Sequence, residues 1–155
     1  MIRAVFDTTL LASIATAGRV EKSGTIKRLS ECWLLNEEVE VILSEYIYAE
    51  LERVLQKKYF QARLTPEYVT QYLQEVRESS TIITLKSLLV GYAPHPKDDP
   101  IIATAYDGKA GYIVTGDKAF QRIHLDVRGI RVISPAGFLY ELESMQQTKR
   151  VKLAA

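Results

Sequence analysis

Residues 98–120 read DDPIIATAYDGKAGYIVTGDKAF, and this stretch decides the fold. It opens on two carboxylates followed by Pro100, the residue that fits the first turn of a helix. Asp98 or Asp99 therefore caps a helix over 98–110, which Gly111 ends. Residues 112–115, YIVT, are aromatic and β-branched, and Gly116-Asp117 stops them: a strand with a turn behind it. A helix that feeds straight into a strand belongs to a parallel sheet with helices on its faces.

The same alternation extends in both directions. Upstream, strands are predicted over 2–6 (IRAVF), 40–43 (EVIL) and 81–85, and downstream over 130–133. Between them, residues 8–17 form a turn into a short helix. Residues 25–35 space Ile26, Leu29, Trp33 and Leu34 on one helical face. Ser44 caps a helix over 45–58 whose stripe is Ile47, Leu51, Val54 and Leu55. Thr65-Pro66-Glu67 opens another, running to residue 79. Gly18 and Gly24 bracket a charged loop, and residues 88–97 read as a loop. One helical turn follows over 120–125, and a last helix over 135–143. The expectation is a three-layer α/β/α sandwich around a central, mainly parallel five-stranded sheet. It forms one domain over residues 1–143, with a polar C-terminal tail over 144–155.

Composition agrees with one core. The chain has 155 residues and is 47% hydrophobic, enough to bury its own interior without a disulfide or structural metal. Its single cysteine, Cys32, forms no internal bridge, which suits a reducing cytoplasm. A formal charge of +1 excludes a protein that coats nucleic acid by bulk charge, so any nucleic-acid contact must be a local patch. No apolar stretch reaches the roughly 18 residues a membrane span needs. Residues 10–17, LLASIATA, look like a short signal core, but Asp7 and the strand before them argue against a signal peptide.

In open parallel sheets, ligands bind beyond the carboxyl ends of the strands, where the strand order switches. Asp7 directly follows the first strand, Asp117 follows YIVT by two residues, and Asp99 opens a helix that faces the same edge. Glu50 borders the apolar stripe of its helix, where a carboxylate is costly unless something compensates it. Four such charges repel: at about 5 Å and an effective dielectric near 20, each pair costs on the order of 3 kcal/mol. A divalent cation relieves that cost. All-oxygen ligands select Mg²⁺ or Mn²⁺, which activate water and stabilise charge on a phosphodiester. Cys32, His95 and His124 show no zinc spacing. Each acid alone has a bland reading, Asp99 as a helix cap and Gly116-Asp117 as a turn pair. Only the joint pattern points to a metal site.

The segments VFDTTLLAS (5–13), LSEYIYAELERVL (43–55), DDPIIATAYDGKAGYIVTGDKAF (98–120) and GIRVISPAGFL (129–139) resemble, in order, those of the PIN-domain family. These are the toxin-like nucleases of many bacterial and archaeal toxin–antitoxin pairs. The resemblance runs over about residues 2–140. It implies Asp7, Glu50, Asp99 and Asp117 as the catalytic and metal-binding acids, with Mg²⁺ or Mn²⁺ as cofactor. It implies RNA cleavage, frequent homodimers, and for the toxin branch an antitoxin that occludes the site. Thr115 stands beside the final acid, and Asp98 beside the third. Position 9 is Thr where the family usually has Asn; its hydroxyl still orients Asp7, less firmly than an amide. Position 119 is Ala where many relatives carry another acid.

Lys97 and Lys118 neighbour the acidic edge and are the candidates to hold RNA phosphates, ahead of Lys57, Lys58, Lys109 and Arg122. The tyrosines at 46, 48, 68 and 72 read as core or interface, and His95 as exposed. Two other functions compete with the nuclease. One is a non-catalytic PIN-like module that binds RNA or protein, which Thr9 and Ala119 favour. The other is a phosphotransfer domain with Asp7 as nucleophile. A phosphatase of that kind wants a second Asp at position 9, and a receiver wants an acidic pair and a late lysine; neither pattern is present.

Overall fold

The first strand, β1 (Ile2–Phe6), is the centre of the molecule, with Ala4, Val5 and Phe6 wholly buried. A computed structural model of the chain describes residues 1–17, 24–87, 91, 93–123 and 129–155. In chain order β1 is followed by α1 (Thr8–Thr16), α2 (Gly24–Leu34), β2 (Val39–Ser44), α3 (Glu45–Leu55), α4 (Lys58–Gln61), α5 (Pro66–Ser79) and β3 (Ser80–Ile83). Next come a 3-10 turn (Pro96–Asp98), α6 (Asp99–Asp107), β4 (Tyr112–Val114), α7 (Lys118–Gln121), β5 (Arg131–Ile133) and α8 (Pro135–Ala154). The five strands lie in the order β3-β2-β1-β4-β5 and every pair is parallel. The chain leaves β1 to one side for β2 and β3, then returns to the other side for β4. The gap between β1 and β4 is therefore the switch point.

The register assigns the two faces. Phe6 pairs with Val114 and Ala4 with Tyr112, so these side chains share a face. Phe6 meets Trp33 of α2 edge-on at 5.7 Å and Phe138 of α8 at 6.1 Å, so α2 and α8 cover that face. Val5 pairs with Ile42 and Ile113 and points the other way. There Ile42 packs against Gly108 just after α6. A Cβ at Gly108 would overlap Ile42 Cγ2 and approach the Thr104 carbonyl oxygen to 2.8 Å, so only glycine fits this approach. Thr104 of α6 also donates to Ser44 at the end of β2 (2.8 Å). Helices on both faces of a parallel five-stranded sheet are the architecture expected from the alternation of elements.

Several boundaries differ from the sequence reading, among them the end of the helix read to 110, which stops at Asp107 with Gly108 rather than Gly111 as its cap. The helix read over 45–58 is two, because Lys57 is extended (φ −67, ψ 151) between α3 and α4. The helix read from 98 begins one residue later, after the 3-10 turn that contains Asp98. The polar residues 144–155 continue α8 rather than forming an irregular tail, since they contain no Gly or Pro after Gly137 to stop the helix. The turn read over 120–125 is α7, Lys118–Gln121; Gly18 and residues 88–90, 92 and 124–125 lie outside the described residues, as does His124. Among the described residues no helix is long and apolar enough to cross a membrane. Tyr48, Tyr68 and Tyr72 are structural: their hydroxyls donate to the carbonyls of Leu73, Ala15 and Leu11.

Candidate active site

Asp7 ends β1 and caps α1, and both tasks follow from its place in the chain. Its Oδ1 accepts the Leu10 N–H (2.8 Å), and its Oδ2 accepts the hydroxyl of Thr115, which follows β4. Thr115 is fully buried, and its hydroxyl oxygen also accepts the Asp117 N–H (3.1 Å). One hydroxyl thus ties the acid of β1 to the segment carrying the acid of β4. Burial drives the Asp7 carboxyl up to about 6, against the hydrogen bonds from Thr115 and Leu10; the charges of Asp98 and Asp117 add to the rise.

Asp117 caps α7, its Oδ1 accepting from the N–H groups of Ala119 (2.9 Å) and Phe120 (3.4 Å), and it remains exposed. Glu50, half-buried on α3, accepts the hydroxyl of Thr8 (3.2 Å). Thr8 is a candidate site residue the sequence reading missed; a hydroxyl directly after a capping acid, in the first turn of a helix, is the signal that points to it. Asp98 is half-buried, and its carboxyl is raised first by desolvation and then by Asp117 and Glu50, with Lys97 and His95 opposing.

These four acids line one cleft of about 200 Å³ at the switch point, with Thr8, Thr9, His95, Lys97, Ile101 and Phe120 completing its wall. Thr9 and Lys97 line the cleft, but the donors to Asp7 are the Leu10 N–H and the Thr115 hydroxyl rather than the Thr9 hydroxyl expected to orient it. His95 is exposed as expected, but on the cleft wall. Lys118 begins α7 outside that wall. A larger hollow, about 530 Å³ beside Leu55, Leu64, Val69 and Leu73, has only one acid, Glu52.

The third acid is a correction. Asp99, expected in the site, is buried elsewhere: its carboxylate accepts the N–H groups of Gly91 (3.3 Å) and Ala93 (3.2 Å) and does not line the cleft. The 3-10 turn presents its neighbour Asp98 instead. Among the described residues no group of three or more acids is already gathered as a metal cup, so the expected convergence on one cation is not preformed. Three of the cleft acids are bonded to their own scaffold, Asp7 to α1 and Thr115, Glu50 to Thr8, Asp117 to α7. The donor set itself is all oxygen and acid-rich, which is the chemistry of a hard-cation site.

The fold and site define a parallel α/β protein whose switch point opens into an acid-lined cleft. The family model of the PIN domain matches residues 3–119, and the chain belongs to that family. Two solved structures share the fold. One is PAE2754 from Pyrobaculum aerophilum: 15% identity, 92% of this chain and 90% of that chain covered, TM-score 0.62. The other is VapBC2 from Rickettsia felis, bound to a DNA fragment from its promoter: 16% identity, 86% and 98% covered, TM-score 0.55. No curated protein matches the chain.

Proposed function

We propose that this protein is a divalent-metal-dependent endoribonuclease, acting in the cytoplasm as the toxin of a toxin–antitoxin pair. One observation carries the reading: Asp7, Glu50, Asp98 and Asp117 line a single cleft at the β1–β4 switch, and Asp7 is kept there with its carboxyl pushed up to about 6. A buried carboxylate beside other acids is unfavourable for folding and is the mark of a site kept for chemistry. Membership of the PIN family supports a nuclease, and the shared fold with VapBC2 supports a cognate antitoxin; a homodimer is part of the same proposal.

The four cleft acids would hold Mg²⁺ or Mn²⁺. When bound, such a cation supplies a more acidic water and a positive charge against the phosphodiester. The chain's own residues do the rest. Thr115 and the Leu10 N–H fix both oxygens of Asp7. Thr8 orients Glu50. Lys97, on the wall, would meet an RNA phosphate, with Lys118 at the start of α7 as the next candidate.

The test is cleavage of RNA by the purified chain, with Mg²⁺, with chelator, and with Asp7→Asn as control. The expected products carry 5′-phosphates. Products ending in a 2′,3′-cyclic phosphate would show attack by the RNA's own 2′-OH and overturn the hydrolytic mechanism. Thr9 and Ala119 favour one other reading, a non-catalytic module that binds RNA or protein. Tight RNA binding by the native chain without metal-dependent cleavage would establish it.

A further inference from the structure

Three of the cleft acids lie on longer helices or at strand ends, but Asp98 lies on a 3-10 turn of three residues, Pro96–Asp98, closed by the Asp98 N–H on the His95 carbonyl oxygen (2.9 Å). So short a turn has little stability by itself. It is fastened on two sides. From α3, the Tyr46 hydroxyl donates to the Lys97 carbonyl oxygen at 3.0 Å. From the start of α6, the buried carboxylate of Asp99 uses both its oxygens, one for the Gly91 N–H and one for the Ala93 N–H. Tyr46 lies four residues before Glu50, one helical turn. The same face of α3 thus supplies one acid to the cleft and a tether for the segment that carries another. The tether is on a main-chain atom next to Asp98, so it sets where the Asp98 backbone lies.

We propose that Tyr46 and Asp99 are positioning residues of the nuclease, acting through Asp98: together they hold the 3-10 turn so that Asp98, and not Asp99, is presented to the cleft. This rests on the nuclease reading above. It gives adjacent aspartates opposite tasks. Asp98 faces the substrate, and Asp99 is spent on backbone N–H groups.

The test uses Tyr46→Phe, Asp98→Asn and Asp99→Asn in the full chain. Tyr46→Phe removes one hydroxyl and keeps the ring. It should lower kcat about 10-fold, because small displacements of a reacting group are costly, with KM for RNA within about 2-fold. Calorimetric titration with Mg²⁺ alone should show affinity weakened about 3-fold, and no further loss from Tyr46→Phe once Asp98 is Asn, since a residue acting through another loses its effect with it. Additive losses would overturn the proposal, as would a Tyr46→Phe effect on KM alone, which would put the hydroxyl on the RNA. Asp99→Asn places an amide against two N–H groups. Hydrogen exchange at Gly91 and Ala93 should then rise about 10-fold or more, while Asp98→Asn leaves it unchanged. If Asp99→Asn abolishes Mg²⁺ binding with exchange at those amides unaltered, Asp99 is itself a cation-holding acid and the proposal fails. A native chain that cleaves no RNA overturns the nuclease reading and the positioning role with it; the exchange measurement would still show whether Asp99 fastens the segment.

Discussion

The two walls of the cleft are built on different physics. One wall hangs from strand ends. Asp7 and Thr115 follow neighbouring strands in register, Phe6 against Val114, and the main chain continues the pairing past both: the Asp7 N–H donates to Val114 and the Thr115 N–H to Ile133. The other wall hangs from α3 and a 3-10 turn, with Glu50 held by one hydroxyl and Asp98 placed by contacts to its neighbours. The strand-end wall is locked by the sheet and therefore carries a strained, buried acid. The helix-and-turn wall has softer anchors, and both its acids are half-buried, more open than Asp7 and less open than Asp117. Substitutions should consequently separate: changes at the strand ends alter both stability and rate, in the same or in opposite directions, and changes at the turn alter rate alone.

The largest effect is expected from Asp7→Asn, which should abolish cleavage, a loss of about 10³-fold or more, as should Asp117→Asn. Stability should move the other way at Asp7. The carboxyl sits at about 6 in the folded chain, above the unfolded value near 4. Between those values the folded state binds more protons than the unfolded state. Stability therefore falls as pH rises from about 4 to about 6 and stays lower above it. The loss is at most about 3 kcal/mol. Asn keeps the bond from Leu10 and can donate to the Thr115 hydroxyl, so Asp7→Asn in chelator should melt at or above the native chain at pH 7, with a flatter profile between pH 4 and 6. A variant that melts well below native would make Asp7 a structural cap, and the comparison between the walls would break.

Thr115→Val comes next. It leaves Asp7 without its strongest donor and the Asp117 N–H without an acceptor. Rate should fall about 10- to 100-fold, with about 1–3 kcal/mol lost in chemical denaturation, as for a buried bond to a charged group. With that donor gone, the Asp7 carboxyl rises further, so the acid limb of the pH–rate profile should shift upward. Tyr46→Phe on the opposite wall should show a rate effect without this loss of stability. Equal stability losses in the two variants would remove the distinction.

Legibility in the sequence follows the same division. Asp7 and Asp117 were readable because a strand end fixes where the next carboxylate lies, and the parallel sheet fixes which ends are neighbours. Glu50 was readable from helical spacing, as the acid at the border of an apolar stripe. Asp98 was not. Two adjacent acids before Pro100 both satisfy the cap pattern, and which one faces the cleft depends on a single residue of 3-10 turn between the loop and α6. Periodicity carries no information at that level. Thr8 was missed for a related reason: its partner Glu50 is 42 positions away, and only the packed fold brings α1 to α3.

The smallest effect expected is on the stability contributed by Asp117. Its Oδ1 caps α7 through Ala119 and Phe120, and the charge of the same carboxylate raises Asp7 and Asp98. Capping and repulsion act in opposite directions, and two substitutions separate them. Asparagine caps a helix about as well as aspartate and carries no charge. Asp117→Asn in chelator should therefore melt at or slightly above the native chain. Asp117→Ala loses the cap as well, and should be less stable than Asp117→Asn by about 1 kcal/mol. Excess Mg²⁺ should raise the melting temperature of the native chain by mass action and that of both variants much less. If Asp117→Asn melts below native by as much as Asp117→Ala, the ionised carboxylate stabilises the apo chain. The cleft acids would then not repel one another enough to matter, and the strain assigned to the strand-end wall would come from the burial of Asp7 alone.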